Sequence, residues 1–343
     1  MRRVLVIVWC CGLVLAAAAA ADGAGGPVPA QQLGAGVSAP DSDLGYVAVS
    51  AGHSTVIERI RRGSGTVERS RLLHGVFGVP GVAYDGSSTG LAAEANRLVL
   101  ADATAVYPVK RTRLLLLSAS TLRPRESITL RGWYTVDAIS PDARWLYLIH
   151  YQSVSSTTHY EVRAYDLRAR RLVAKPVIDP REPDEKMQGL PVTRTMSADA
   201  RWAYTLYQRP GDAPFIHALD TRGRTAACID LDDLTNDDVG QAHLALIDGG
   251  ATLRVDGESG PLALVDTRTF AVRKPAPPRA AVAARPRTPA GHDDGGGGVP
   301  WALLLVALVP LAGLAVVVRR RPRSRVATGS SDASAPAPPR RDA

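Results

Sequence analysis

One string occurs twice in this chain and constrains its fold more than any other feature. Ser140-Pro141-Asp142-Ala143-Arg144-Trp145-Leu146-Tyr147-Leu148 returns as Ser197-Ala198-Asp199-Ala200-Arg201-Trp202-Ala203-Tyr204-Thr205. A turn tetrad, an Arg-Trp pair and an alternating strand recur together, and a fixed-period repeat of this kind decides the architecture before any local propensity does. Pro141 presets the second position of a tight turn, and Asp142 can accept from the backbone two residues on. The flanking stretches, 133–139 and 145–151, are rich in aromatic and β-branched residues. Residues 160–165 alternate apolar and charged side chains, and 172–178 supply a fourth short strand. Four antiparallel strands per repeat is the unit of a β-propeller blade.

Degenerate copies extend the series. Aligned on Trp145 and Trp202, the equivalent positions are Tyr46, Arg97 and Thr252, at successive spacings of 51, 48, 57 and 50 residues. A second landmark follows in constant order: Asp166-Leu167-Arg168, Asp220-Thr221-Arg222 and Asp266-Thr267-Arg268. The expectation is an all-β, β-propeller-like domain of about five four-stranded repeats over residues 42–273, with a degenerate sixth blade or closure by strands from both chain ends as variants.

The layout resembles the YVTN/WD40-like propeller repeats of bacterial secreted proteins. Those repeats usually carry glycine at the last turn position, where Ala143 and Ala200 stand here. The stretch running from Glu182 through Pro191 and His217 to Leu231 resembles secreted actinobacterial proteins to which no activity attaches. The first resemblance implies a propeller whose faces and loops present binding surface.

The flanks read as targeting and anchoring segments. Residues 1–21 have a basic start, an apolar core and a small-residue run, the pattern of a secretory signal peptide. A Gly-, Ala- and Pro-rich leader covers 22–41, and a Pro/Ala/Gly-rich stalk covers 274–298. Residues 299–318, opened and closed by Val299 and Val318, are 20 residues without a charge. That is enough helix to span about 30 Å of hydrocarbon. The arginines from Arg319 stop transfer and place the 319–343 tail, disordered by composition, in the cytoplasm. The expected topology is a single-pass plasma-membrane protein with its propeller outside and one C-terminal transmembrane helix.

The net charge of +8 comes from those flanks: residues 22–273 sum to −1. Such a balance argues against a nucleic-acid partner, which calls for a basic patch on the domain itself. Outside the leader, Cys228 is the single cysteine, so no internal disulfide forms and the thiol is expected in the core.

Candidate chemistry is sparse. The sequence Gly86-Ser87-Ser88-Thr89-Gly90 matches G-x-S-x-G, but it sits between strands of a repeat and reads as a hairpin loop. Asp230, Asp232, Asp233, Asp237 and Asp238 supply hard oxygen ligands at a density that suits Ca²⁺, without EF-hand spacing; a solvated acidic loop is the simpler expectation. The charged, Pro-punctuated insert 179–186 is expected on the surface. His53, His74, His150, His159, His217, His243 and His292 fall in no zinc-binding pattern. Trp133, Trp145 and Trp202 are expected in blade cores. No catalytic or cofactor-binding residue is assigned. The sequence thus favours a non-enzymatic binding or scaffolding module with a protein or glycan partner at the cell surface. The alternative is an exported hydrolase- or lactonase-type propeller enzyme with its site at the central channel.

Overall fold

The computed structural model describes residues 33–40, 42–105, 108–152, 159–184 and 187–276. The expected signal peptide, most of the expected leader, the expected stalk beyond 276, the expected 299–318 span and the expected tail lie outside these residues.

Five antiparallel sheets follow one another along the chain. Blade 1 holds Val37–Ser38, Leu44–Ala51, Ser54–Arg61 and Val67–His74. Blade 2 is built on Phe77–Pro80, Arg97–Asp102, Arg111–Ser118 and Pro124–Arg131, with the short strands Leu33–Gly34 and Leu91–Ala92 added at its inner edge. Blade 3 comprises Trp133–Ile139, Trp145–Tyr151, Tyr160–Asp166 and Arg171–Leu172. Blade 4 comprises Leu190–Met196, Trp202–Gln208, Phe215–Asp220 and Thr225–Asp230. Blade 5 comprises His243–Ile247, Thr252–Gly257, Gly260–Asp266 and Val272–Arg273. The expected strands of blade 3 are present, except that the fourth is short and continues only as a Val162–Val177 bridge.

The repeated string forms the same bonds twice. Ser140 Oγ donates to Asp142 Oδ1 and accepts from Trp145 N at 2.6 and 2.9 Å. Ser197 Oγ does the same with Asp199 and Trp202 at 2.6 and 2.8 Å. Ala143 and Ala200 hold φ of 50° and 53°, the left-handed region for which glycine is the default residue. The second landmark is equally regular. In blades 3, 4 and 5 the aspartate Oδ1 accepts two backbone N–H groups, as at Asp166 from Arg168 and Ala169. Four residues after the first turn position stands a left-handed residue in every blade: Gly65, Leu122, Arg170, Arg224 and Phe270.

The two landmarks are one structure. The N–H of Leu167, Thr221 and Thr267 donates to the carbonyl of Arg144, Arg201 and Ala251, tying the outer turn to the tetrad turn of the same blade. Their constant order in the sequence follows from that contact.

Blades 2, 3 and 4 are apolar on both faces because each lies between two others. In Arg97–Asp102, Leu98 and Leu100 pack with Tyr46 and Ile57 of blade 1, while Val99 and Ala101 pack with Leu146 and Leu148 of blade 3. Tyr147, Val162, Ala203 and Leu219 join blades 3 and 4, and Leu206, Ile216, Leu253 and Val265 join blades 4 and 5. Cys228 is buried, as expected. Among the described residues, no core cluster and no strand pairing joins blade 5 to blade 1. The N-terminal strand Leu33–Gly34 pairs with Phe77–Pro80 of blade 2, so closure by pairing strands from both chain ends is not the arrangement seen.

Candidate functional site

The inner strand of blade 2 is split. Between Phe77–Pro80 and Leu91–Ala92, residues 81–90 leave the blade as a small tongue, closed by a Gly81–Ser88 bridge and by Val82 N donating to Ser87 O at 2.8 Å. The tongue crosses to the inner strand of blade 4. Tyr84 N donates to Pro191 O at 3.0 Å, Asp85 N to Val192 O at 3.1 Å, and Ser87 Oγ to Arg194 O at 3.4 Å. Val192 is available because it occupies a bulge, where the register shifts between Pro191 and Thr193. Gly90 returns the tongue to the blade at φ 103°, where a Cβ would stand 2.7 Å from Val99 O. The G-x-S-x-G string therefore forms a cross-blade brace as well as a hairpin.

Ser88 cannot serve as an activated nucleophile in this setting. Its Oγ donates to Gly86 O at 3.2 Å, and a Cβ on Gly34 would lie 1.8 Å from that same oxygen, so the strand Leu33–Gly34 presses directly on it. A nucleophile needs a base within hydrogen-bond reach and room for the attacked atom. Among the described residues, neither a histidine nor a carboxylate hydrogen-bonds Ser88.

Beside the tongue lies a cavity of about 150 Å³, lined from four blades. Its walls include Ser38 and Pro40 from blade 1, Thr89 and Glu94 from blade 2, Pro141 from blade 3 and Asp199 from blade 4. A more open groove adjoins it, adding Arg62 and the backbone around Arg194. The tetrad turns thus do more than reverse the chain: those of blades 3 and 4 form the rim of this site. Asp199 is held below the usual carboxylate range, chiefly by the Ser197 hydroxyl and also by Arg201 N–H. It is ionised at neutral pH and already engaged, which suits a polar anchor better than a general base.

A buried ion pair braces the site from below. Arg194 donates to both the carbonyl and the carboxylate of Asp137, and its Nε donates to Thr205 Oγ1 at 2.8 Å. Both side chains are 2% exposed. Asp137 is the extra residue of a bulge in Trp133–Ile139, which turns its backbone and side chain toward blade 4. Sequence reasoning missed this pair. Its signal was present as a lone acid in a strand of apolar and hydroxyl residues and a lone arginine in Leu190–Met196.

The acidic candidates are placed separately. Asp230 pairs with Arg209, and Asp233 lies 3.1 Å from Lys274 Nζ. Asp238 closes a capping box with Thr235 on the short helix Asn236–Val239, whose first turn also holds Asp237. Asp232 is exposed. Among the described residues, no group of three or more His, Cys, Asp or Glu side chains is arranged to hold a metal ion. The 179–186 insert departs from a purely surface loop. Asp179 is buried and accepts from Cys228 N at 2.9 Å, and Arg181 donates to Cys228 O at 2.8 Å, so the insert covers the outer edge of blade 4 while residues 180–184 stay exposed.

The tryptophans are structural. Trp145 lies between Arg144 and Arg224, whose Cζ atoms stand 4.7 and 4.4 Å from its rings. Trp133 stacks on Tyr151 at 4.2 Å, and Trp202 meets Tyr204 and Phe270. His150 stacks on Tyr134 at 4.3 Å, and burial lowers its pKa. His217 is buried on an inner face of blade 4, whereas His53, His74, His159 and His243 are exposed. His292 lies outside the described residues.

No family model matches the chain, and no curated protein matches it. Solved structures do align. A functionally unknown protein from Desulfotomaculum acetoxidans is 12% identical with a TM-score of 0.42, covering 71% of this chain and 69% of that one. The Cps50 (Swd1) β-propeller domain of Myceliophteria thermophila is 10% identical with a TM-score of 0.38, covering 68% and 65%. TolB from Acinetobacter baumannii is 14% identical with a TM-score of 0.32, covering 66% and 55%.

Proposed function

We propose that this chain is an exported, membrane-anchored binding or scaffolding module, whose protein or glycan partner docks on the face carrying the tetrad turns. The observation that carries the proposal is the state of the centre. The tongue crosses from blade 2 and is bonded to blade 4, among the described residues no histidine or carboxylate hydrogen-bonds Ser88, and four blades contribute loops to one shared cavity. A rigid concave site with a few placed polar groups fits recognition, and loops positioned by a sheet scaffold are where such function resides. The anchoring half rests on residues 1–21, 274–298 and 299–318, whose patterns suit export, a stalk and a single span.

Expression of the full chain, fractionation and protease shaving of intact cells test both halves. The expected result is a membrane-fraction protein whose domain is released by cleavage within 274–298. A photo-crosslinker at Pro141 or Ala198 should then capture a cell-surface partner that a crosslinker at exposed Glu258, in the turn at the opposite end of the strands between Thr252–Gly257 and Gly260–Asp266, does not. Untethered full-length protein in the cytosol overturns the topology. Equal capture from both positions overturns the docking face.

A further inference from the structure

The cavity beside the tongue has a mouth and a depth of different chemistry. Thr89, Ala92 and Ile139 are 6%, 2% and 3% exposed and form its depth, with Pro141 also buried. Glu94 and Asp199 stand at its mouth, where the Glu94 side chain is 66% exposed and Asp199 is exposed as well. They come from the first turns of blades 2 and 4, and the two blades approach one another here, with Arg222 of blade 4 within 3.9 Å of Glu94.

Both carboxylates have capacity to spare. The Ser197 hydroxyl and Arg201 N–H both donate to Asp199 Oδ1, at 2.6 and 3.1 Å, which leaves Oδ2 for another donor. Among the described residues Glu94 has only its long contact with Arg222. That contact joins two side chains that are each more than half exposed, and such a pair is weak. Arg62, in the adjoining groove, donates to Ser38 Oγ at 3.3 Å and to Ser42 O at 3.5 Å. The depth is otherwise apolar, and Thr89 supplies its hydroxyl, which makes no hydrogen bond among the described residues. That hydroxyl can bond an occupant, but it carries no charge to hold an ammonium.

We propose that the cavity takes the free N-terminus of a partner protein. Its α-ammonium is held at the mouth by Glu94 and Asp199, and an apolar first side chain fills the depth. The inference rests on the reading that a protein docks on the tetrad-turn face, and names what that protein brings. In a first residue the ammonium and the side chain leave the same carbon, so charge lies beside the mouth while hydrocarbon points inward. An apolar cavity of about 150 Å³ is large enough for a benzene-sized body, and this one has that volume. Capture of a chain-terminal amine is a known mode of peptide recognition.

Two other occupants fit less well. A lysine side chain would enter charge first, stranding its ammonium beside Thr89 and leaving the carboxylates behind it, and a buried charge without a counter-charge is costly. A sugar ring would find no aromatic face, since no aromatic side chain lines the cavity among the described residues.

The test is binding of small peptides to the purified full chain, followed by calorimetry. Phe-Gly-Gly-amide should bind. Its N-acetylated form should bind at least about tenfold more weakly, as loss of a hydrogen-bonded charge implies. Gly-Gly-Gly-amide should also lose at least about tenfold, because no side chain fills the depth. Binding should fall as pH rises through about 8, where an α-ammonium loses its proton. E94Q and D199N should each weaken the free-amine peptide several-fold and leave the acetylated one unchanged, a difference that a merely structural role would not produce. If D199N fails to fold, E94Q carries the test, because Glu94 makes no hydrogen bond within the turn. R222Q, which removes a competing cation, should tighten binding by about twofold. Equal binding of the free and acetylated peptides overturns the proposal. So does tighter binding of N-acetyl-lysine-amide than of Phe-Gly-Gly-amide, or no binding of Phe-Gly-Gly-amide at any soluble concentration. Capture of a partner by the crosslinker at Ala198 that excess Phe-Gly-Gly-amide does not compete away also overturns it, while leaving the docking face in place. Peptide binding with the expected selectivity, but with no partner captured at Pro141 or Ala198, supports amine capture and sinks the docking face alone.

Discussion

At the residue scale, Ala143 and Ala200 show how a repeat can be read and what it costs. The tetrad turn demands a left-handed residue at its last position, and the chain supplies alanine at φ of 50° and 53°. The equivalent position in blade 5 is Gly250, at φ 93°, the residue type expected there from the propeller repeats this chain resembles. For a residue with a Cβ this conformation costs about 1–2 kcal/mol, partly offset because glycine loses about 0.5–1 kcal/mol more on folding. Ala143→Gly and Ala200→Gly should therefore each stabilise the domain by about 0.5–1 kcal/mol, and the pair should raise the melting temperature by a few degrees. Thermal denaturation of the single and double variants checks this; an unchanged or lowered midpoint would mean that the turns are not left-handed in solution. The turn chemistry was legible in the sequence because Ser, Pro and Asp act within five residues of themselves. Ser88 was legible for the same local reason, its surroundings lacking the strand, elbow and helix that a serine nucleophile needs.

At the element scale, legibility fell off with sequence separation. Strand order within each blade follows from alternation and turns, both local. The tongue's attachment to blade 4 does not, because Tyr84 and Pro191 meet only once the intervening blades have set the curvature. The Asp137–Arg194 pair is of the same kind: each charge was visible in its own strand, but two bulges had to aim them at one another. Its energetic weight follows from burial. Removing one partner leaves the other uncompensated in the core, which typically costs about 3–5 kcal/mol, whereas replacing both with apolar residues of similar volume is often neutral or better. Asp137→Ala should thus destabilise by about 3–5 kcal/mol in urea denaturation. The double variant D137L/R194M should recover most of that loss, because no buried charge then lacks a partner. Equal losses in the single and double variants would mean that the bonds to the Asp137 carbonyl and Thr205, and not the charge pair, hold blades 3 and 4 together.

At the scale of the whole domain, the unresolved matter of the sequence was closure, and the two end blades differ in a way that bears on it. The outward face of blade 1 is apolar: Val49, Val56 and Leu72 form one cross-strand row, with Val49 54% and Leu72 61% exposed. The outward face of blade 5 carries Arg254 paired to Asp256 at 2.7 Å, the polar finish that a terminal repeat needs. Seating that face on the Val49–Val56–Leu72 row would bury an ion pair against hydrocarbon, with its desolvation uncompensated. The repeat count followed from spacing, but which faces meet at the ends could not, since the end repeats are the most degenerate copies. The structure predicts that Leu72→Lys changes stability by less than about 0.5 kcal/mol, as exposed substitutions do. Ile57→Ala, on the opposite face of the same sheet and fully buried, should cost about 2–5 kcal/mol. Urea denaturation of the two variants side by side decides the point. If Leu72→Lys costs as much as Ile57→Ala, the first blade is covered in solution and blade 5 must repack to cover it. If it costs nothing measurable, the five blades form an open series whose first face remains in water.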